Sequence, residues 1–428
     1  MRLLSLLLLA AATLLAAAVA GVRAGPEMPQ AASVAGMGAG PGVPQAAAAA
    51  GMGAGTQVPK AAAAAGGLAG SGVPQAAAAA GMGAGTQVPQ AAAAGVLAGP
   101  GVPKAAAAAA GGPAAKLSPD FYSQTCPRAE RIIAEVVQSK QMANPTTAAG
   151  MLRVFFHDCF VTGCDASVLI APTRFAKSEK DAEINHSLPG DAFDAVVRSK
   201  LALELECPGV VSCADVLALA SRVLVTMTGG PRYPVPLGRK DSLSSSPTAP
   251  DVELPHSNFT VGRILELFLA KGFTVQEMVA LSGAHTLGFS HCQEFASRIY
   301  NYRDKTGKPA PFDPTMNPGY AKGLQAACKE YLKDPTIAAF NDVMTPGKFD
   351  NMYYVNIERG LGLLSTDEDM WSDLRTRPLV ERYAANNTAF FDDFARAMEK
   401  LSMYGVKTGA DGEIRRRCDA YNDGPTTV

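Results

Sequence analysis

The sequence predicts an all-α, mainly helical domain over residues 117–428, preceded by a disordered Ala/Gly/Pro repeat. Three observations carry this. Apolar residues recur at helical spacing behind capping residues in several segments. No segment alternates apolar and polar side chains for long enough to make an extended strand. The composition breaks near Leu117, where aromatics, charges and cysteines appear together. The chain has 428 residues and a formal charge of −1, which gives no electrostatic reason to expect a nucleic-acid or acidic-membrane partner.

From the start of the chain, Arg2 precedes an almost unbroken apolar run from Leu3 to Ala20, ending in Ala18-Val19-Ala20. A charged start, an apolar stretch and small residues at its end read as a signal peptide over 1–20. A membrane anchor is the rival reading, since the run is nearly long enough to span a bilayer. The small residues, placed for a peptidase, favour the signal. No later segment is both apolar and long enough to span, so no membrane partner is expected.

Residues 21–116 are of low complexity. The unit is Val-Pro-Gln/Lys, then an alanine run and a glycine-rich stretch. Pro29, Pro44, Pro59, Pro74, Pro89 and Pro103 recur at intervals of 15, 15, 15, 15 and 14 residues. Between residues 25 and 115 the only charges are Glu27, Lys60 and Lys104, and there is no aromatic residue. Alanine favours helix, but such short runs nucleate poorly in water. The segment reads as an extended spacer. The sharper alternative is a contact with wall polymers, because Pro/Ala/Gly repeats resemble extracellular structural proteins.

In the domain, Thr274–Ala284 opens on a Thr274/Glu277 capping box and carries Val275, Met278, Val279 and Leu281 at helical spacing. Ser212-Cys213-Ala214-Asp215 opens another helix that runs through Arg222. Thr388–Met403 carries Phe390, Phe391, Phe394, Ala397, Met398 and Leu401 on a broad apolar face. Eight cysteines, none before Cys126, argue for disulfides in a secreted chain. Zinc is the competing explanation, but the only tight pair is Cys159 and Cys164, and zinc sites show paired CxxC clusters or spaced histidines.

The richest stretch is AAGMLRVFFHDCFVTGCDASVLIA, Ala148 to Ala171. With Thr147–Cys159 helical, Arg153 and His157 are four apart and share a face. Alone they would read as two exposed polar residues. The flanking Phe155 and Phe156 argue that the segment is buried, and buried polar groups need partners or a task.

This segment resembles the distal signature of plant secretory (class III) haem peroxidases. The resemblance continues through Glu179–Asn185 (EKDAEIN), Val211–Asp215 (VSCAD), Leu237–Asp241 (LGRKD), Met278–Gly288 (MVALSGAHTLG) and Phe349–Tyr354 (FDNMYY). It runs from about Leu117 to Cys418 and does not cover the repeat. It implies a two-subdomain fold with one haem b between distal and proximal helices. His285 would be the axial iron ligand and Asp367 its carboxylate partner, which makes the imidazole more basic and fixes its tautomer. His157 would act as general base and then general acid, Asn185 would accept its other N–H, and Arg153 would stabilise charge developing on peroxide. Phe156 would wall the pocket, and Pro255 would lie at the donor-binding rim.

The resemblance further implies two calcium ions. Asp158, Val161, Gly163, Asp165 and Ser167 match the distal site; Thr286, Asp342, Thr345, Lys348 and Asp350 match the proximal one. It pairs Cys126 with Cys207, Cys159 with Cys164, Cys213 with Cys418, and Cys292 with Cys328, and it makes Asp215 and Arg239 a buried structural ion pair. The expected reaction consumes hydrogen peroxide and oxidises small phenolic donors in two one-electron steps, in a monomer secreted to the apoplast or cell wall. A vacuolar destination is the lesser alternative, because only ten residues follow Cys418. Three departures stand out. Ser257 replaces the usual second rim proline, Glu183, His256 and Glu294 make the rim more polar, and Asn341 precedes Asp342 where an apolar residue is common. The only tryptophan, Trp371, is not placed to hold a radical beside the iron. Of the sequons at Asn185, Asn258 and Asn386, the first is expected to be buried and the other two to accept glycans. A structural wall protein or a calcium-binding module would leave Arg153, His157 and His285 without a purpose.

Overall fold

The computed structural model describes residues 117–304 and 306–422; the expected leader (1–20) and repeat (21–116) lie outside them. Thirteen α-helices are present among the described residues. They are α1 (Ala129–Ala143), α2 (Thr147–Phe160), α3 (Gly190–Glu206), α4 (Cys213–Met227), α5 (Ala249–Glu253), α6 (Val261–Ala270) and α7 (Val275–Ser282), then α8 (Cys292–Ile299), α9 (Pro318–Ala327), α10 (Met352–Glu358), α11 (Ser365–Ser372), α12 (Arg377–Ala385) and α13 (Asn387–Ser402). Four short strands, β1 (Phe289–His291), β2 (Tyr302–Arg303), β3 (Pro309–Ala310) and β4 (Ala338–Phe340), form two antiparallel pairs, β1 with β4 and β2 with β3. The class is the mainly helical one that the sequence predicts. No helix among the described residues is long and apolar enough to cross a membrane.

Local chemistry sets the helix ends. Thr274 and Glu277 cap each other's backbone N–H groups at the start of α7. Ser212 Oγ accepts from Asp215 N to open α4, and Asn386 Oδ1 accepts from Ala389 N to open α13. Helix α4 continues past Arg222 to Met227, because Leu224 and Val225 are buried apolar residues that extend its core face. It stops at Thr228, before Gly229 and Gly230. Helix α7 ends at Ser282, and Gly283–Thr286 tighten into a 3-10 turn. A Cβ on Gly283 would lie 2.4 Å from Phe390 and 2.5 Å from Tyr354 Oη. Only glycine lets this turn pack against α13 and α10.

Two hydrophobic clusters hold the domain. The larger joins α1–α4 to α6, α7, α10, α12 and α13; the smaller lies among α8, α9, β4 and residues 361–364. Helix α2 packs on α3 and α4, and α7 packs on α13. Disulfides join Cys126–Cys207, Cys159–Cys164, Cys213–Cys418 and Cys292–Cys328. The loop-entropy argument gives about 2 kcal/mol for the short Cys159–Cys164 loop and about 5 kcal/mol for the long Cys213–Cys418 loop. Arg239 and Asp215 form an ion pair at 2.7 Å with both side chains fully buried. Tyr122 and Gly238 donate to Asp215, and the carbonyls of Pro236 and Ser402 accept from Arg239, so every charged edge has a partner.

Candidate active site

Helix α2 supplies one wall of a cavity of about 780 Å³. The four-residue spacing places Arg153 and His157 on its cavity face together with Phe156. Arg153 Nη1 donates to Ser187 O (3.0 Å), and Nη2 donates to Ile184 O (3.2 Å) and Ser187 Oγ (2.9 Å). Burial lowers its pKa to about 10, so it remains cationic at neutral pH. Phe156 stacks on Phe160 with ring centroids 4.8 Å apart.

The tautomer of His157 follows from its partner. Asn185 Nδ2 donates to Glu179 O at 2.8 Å, which turns Asn185 Oδ1 toward His157 Nδ1 at 2.6 Å. An amide oxygen only accepts, so Nδ1 carries the hydrogen and Nε2 is left as a free base. Burial, and then the Arg153 charge, push the His157 pKa down to about 3.

The opposite wall comes from α7 and its 3-10 turn. His285 Nδ1 lies 3.0 Å from Asp367 Oδ1. Tyr353 Oη donates to the same oxygen (2.7 Å), and Leu364 N donates to Asp367 Oδ2 (3.2 Å). Burial alone would lower the His285 pKa, but the Asp367 carboxylate outweighs it and raises the value; His285 in turn holds Asp367 low against its own burial. Again Nε2 is the free nitrogen. The His285 side chain is 40% exposed, although the residue lines the cavity, so a ring face stands open to it. Leu281, Met370, Met398 and Leu401 add an apolar lining. Apolar walls with an accessible imidazole nitrogen fit a flat, iron-bearing macrocycle.

All five histidines of the chain line this cavity. Pro255, His256 and Ser257 lie at one side, and Ser257 Oγ donates to Glu294 Oε2 at 2.7 Å. Glu183 is exposed, and its backbone N–H donates to Asp251. Asn341 accepts from Ser290 Oγ (2.7 Å) and donates to Leu287 O (3.4 Å), so its amide is tied to the β1 segment. Trp371 packs against the main core with Arg377 over its ring. Asn185 is buried, whereas Asn258 and Asn386 are exposed.

Two oxygen clusters flank the walls. Beside α2, the nearly fully buried Asp158 accepts from Ala166 N and Val168 N, and Asp165 Oδ1 accepts from Ser167 N. Burial, followed by the neighbouring Asp165, raises Asp158; Glu179, buried next to both, is pushed up to about 9. Val161 O accepts from Gly163 N in the same loop. Beside His285, Thr286 Oγ1 contacts Asp342 Oδ2 (3.2 Å) and Lys348 O (3.4 Å), and Thr345 Oγ1 contacts Asp342 Oδ2 and Asp350 Oδ1, both at 3.0 Å. The β1–β4 ladder, pairing Phe289 with Phe340, brings Thr286 toward Asp342. Among the described residues no group of three or more His, Cys, Asp or Glu is arranged to hold a metal. Each cluster instead sets two aspartates among hydroxyls and carbonyls, with Glu179 next to the pair beside α2, an all-oxygen set of the kind calcium takes.

Sequence reading missed three parts of this site. Ser187 and Ile184 orient Arg153, Tyr353 completes Asp367, and Arg298 donates to the carbonyls of Gly362, Leu363 and Leu364 just ahead of Asp367. Arg298 is buried and paired with Asp313 at 2.9 Å. A lone arginine at a core position of the amphipathic α8 was the available signal for it.

A helical fold with a histidine on each side of one cavity, one paired to an amide and the other to a carboxylate, defines a haem peroxidase. The peroxidase family model matches residues 133–386, and the chain belongs to that family, in its plant secretory (class III) branch. It is similar to three Arabidopsis thaliana proteins, each matched over 72% of this chain. Peroxidase 65 is 57% identical and covered over 90% of its length. Peroxidase 6 is 56% identical and covered over 93%, and Peroxidase 31 is 54% identical and covered over 94%.

Proposed function

We propose that the chain reduces hydrogen peroxide at the cavity between His157 and His285 and oxidises small phenolic donors at the rim near Pro255, as a secreted monomer of the apoplast or cell wall. The observation that carries the reading is the opposed pairing of the two histidines. Haem, held through His285 Nε2, would supply the iron and the two electrons that reduce peroxide, and donors would restore those electrons one at a time. His157 Nε2, kept neutral by burial and by Arg153, takes a proton from peroxide and returns it to the departing oxygen, which leaves as water. Arg153, fixed by Ser187 and Ile184, stabilises the negative charge that develops as the O–O bond breaks. Asp367 makes His285 a more electron-rich ligand. Phe156 lines the His157 side of the cavity and would restrict access to it. Asp158, Asp165 and Ser167, with the carbonyls of Val161 and Gly163, are proposed to hold one calcium ion. Thr286, Asp342, Thr345, Lys348 O and Asp350 are proposed to hold a second that braces His285. Four disulfides fit an oxidising compartment.

The test is rapid-mixing absorbance of the haem-loaded protein with one equivalent of hydrogen peroxide, beside His157→Ala. The wild-type Soret band should change within milliseconds, and the variant should be slower by roughly 10²–10⁴-fold, the usual worth of a positioned acid–base group. Equal rates would remove His157 from the mechanism, and failure to bind haem would remove the catalytic reading altogether.

A further inference from the structure

The oxygen cluster beside α2 already contains a cation of the chain's own. Lys407 Nζ lies 3.1 Å from Asp165 Oδ2, and the Asp165 side chain is 1% exposed. The backbone delivers this contact. Cys164 N donates to Tyr404 O at 3.0 Å, and Lys240 N donates to Lys407 O at 2.8 Å. A Cβ on Gly163 would come within 2.2 Å of Gly405 O, and one on Gly405 within 2.4 Å of Thr162 O. The 162–165 loop and the 404–407 loop therefore touch backbone to backbone, with Lys407 at the end of the contact. On the other side, the buried Arg415 donates to Ala166 O and its charge reaches Asp158. The cluster beside His285 differs. Its Lys348 lies 3.1 Å from Asp350, but that lysine side chain is 66% exposed against 29% for Lys407.

We propose that Lys407 is the resident counter-cation of the distal cluster and competes with calcium for Asp165. The inference rests on the proposed calcium reading of Asp158, Asp165 and Ser167. A divalent ion there needs both carboxylates, and an ammonium on Asp165 cancels one of those charges. The ion enters only as Lys407 swings away, and its partial exposure leaves a route to solvent. Two effects follow. Calcium binds this cluster more weakly than it would beside an uncharged residue 407. With calcium removed, the buried Asp165 still has a partner, so the loop keeps its place.

The experiment is a calcium titration of the haem-loaded, full-length protein against a competing chromophoric chelator, with bound calcium counted after dialysis. Wild type is compared with Lys407→Met, Lys407→Gln and Lys407→Arg. Removing one like charge from the immediate surroundings of a divalent ion should tighten one binding step by about tenfold or more and leave the other unmoved. Lys407→Arg should keep the wild-type affinity. In excess chelator the neutral variants should melt below wild type. Two bound ions with unchanged affinities in both neutral variants would overturn the role of Lys407 alone. Absence of calcium from wild type and variants alike would overturn the calcium reading, and this inference with it. Lys407→Gln keeps the test valid if Lys407→Met fails to fold.

Discussion

His157 and His285 line the same cavity, yet their surroundings set them in opposite directions. Both engage Nδ1 and leave Nε2 free. The partner of His157 is a neutral amide, and burial with Arg153 nearby drives its pKa down to about 3. The partner of His285 is a carboxylate, which raises that histidine's pKa despite burial. On the proposed reading, the difference lets one residue type serve two tasks. A proton carrier has to be neutral when peroxide arrives, and an amide orients it without charging it. A metal ligand has to be electron-rich, and a carboxylate supplies that. The second ring nitrogen decides the function of the first.

The harshest way to break the contrast, after loss of His157 itself, is to remove the charge that holds the distal side cationic without protonating its histidine. Arg153→Leu should slow the reaction with peroxide by about 10²–10³-fold, the typical worth of one preorganised donor to developing negative charge. His157 would be easier to protonate without the neighbouring guanidinium, so the loss should grow as pH falls. Stopped-flow rates at several pH values check both points, and a pH-independent deficit would mean that Arg153 acts on charge development alone. On the opposite wall, Asp367→Asn should keep haem bound but make His285 a poorer donor. A loss of roughly 10–100-fold is usual when the outer partner of a metal ligand is removed. The iron's reduction potential should rise in the same variant. An unchanged potential would show that Asp367 only positions the ring.

How much of this contrast was legible in the sequence depended on the range of each contact. The helix carrying Arg153 and His157 is local, and its spacing predicts a shared face. The Thr274/Glu277 capping box is local too, and it starts α7 where expected. The partners that tune the two histidines are not local. Asn185 lies 28 residues from His157, and Asp367 lies 82 from His285. Only the resemblance to a family pointed to them. Tyr353 lies in the FDNMYY motif, but nothing in that motif said that its hydroxyl would reach Asp367. Lys407 carried no signal in the sequence, because its contact with Asp165 depends on two loops meeting through glycine. Helix termini shifted for simpler reasons. Helix α4 ran five residues beyond Arg222 because its apolar face did, and α7 tightened at Gly283 because Phe390 and Tyr354 press on it.

The mildest way to sharpen the comparison is to give the distal histidine the partner type of the proximal one. Asn185→Asp places a carboxylate where Asn185 Oδ1 now accepts from His157 Nδ1. A nearby negative charge favours imidazolium, so the His157 pKa moves up from about 3. The base is active only when neutral. In wild type the rate with peroxide should therefore stay level from neutral pH down toward 3 and fall below it. In the variant the fall should begin at higher pH, because protonation sets in as pH drops through the raised value. At pH 7 the deficit should be small, and at pH 5 it should be larger. Haem affinity and the iron's reduction potential should hardly move, since His285 and Asp367 are untouched. If the variant instead lost rate equally at every pH, the amide would matter for geometry and not for charge. The opposed partners would then be an orienting device, and the low pKa of His157, set by burial and Arg153, would be insensitive to the partner's charge.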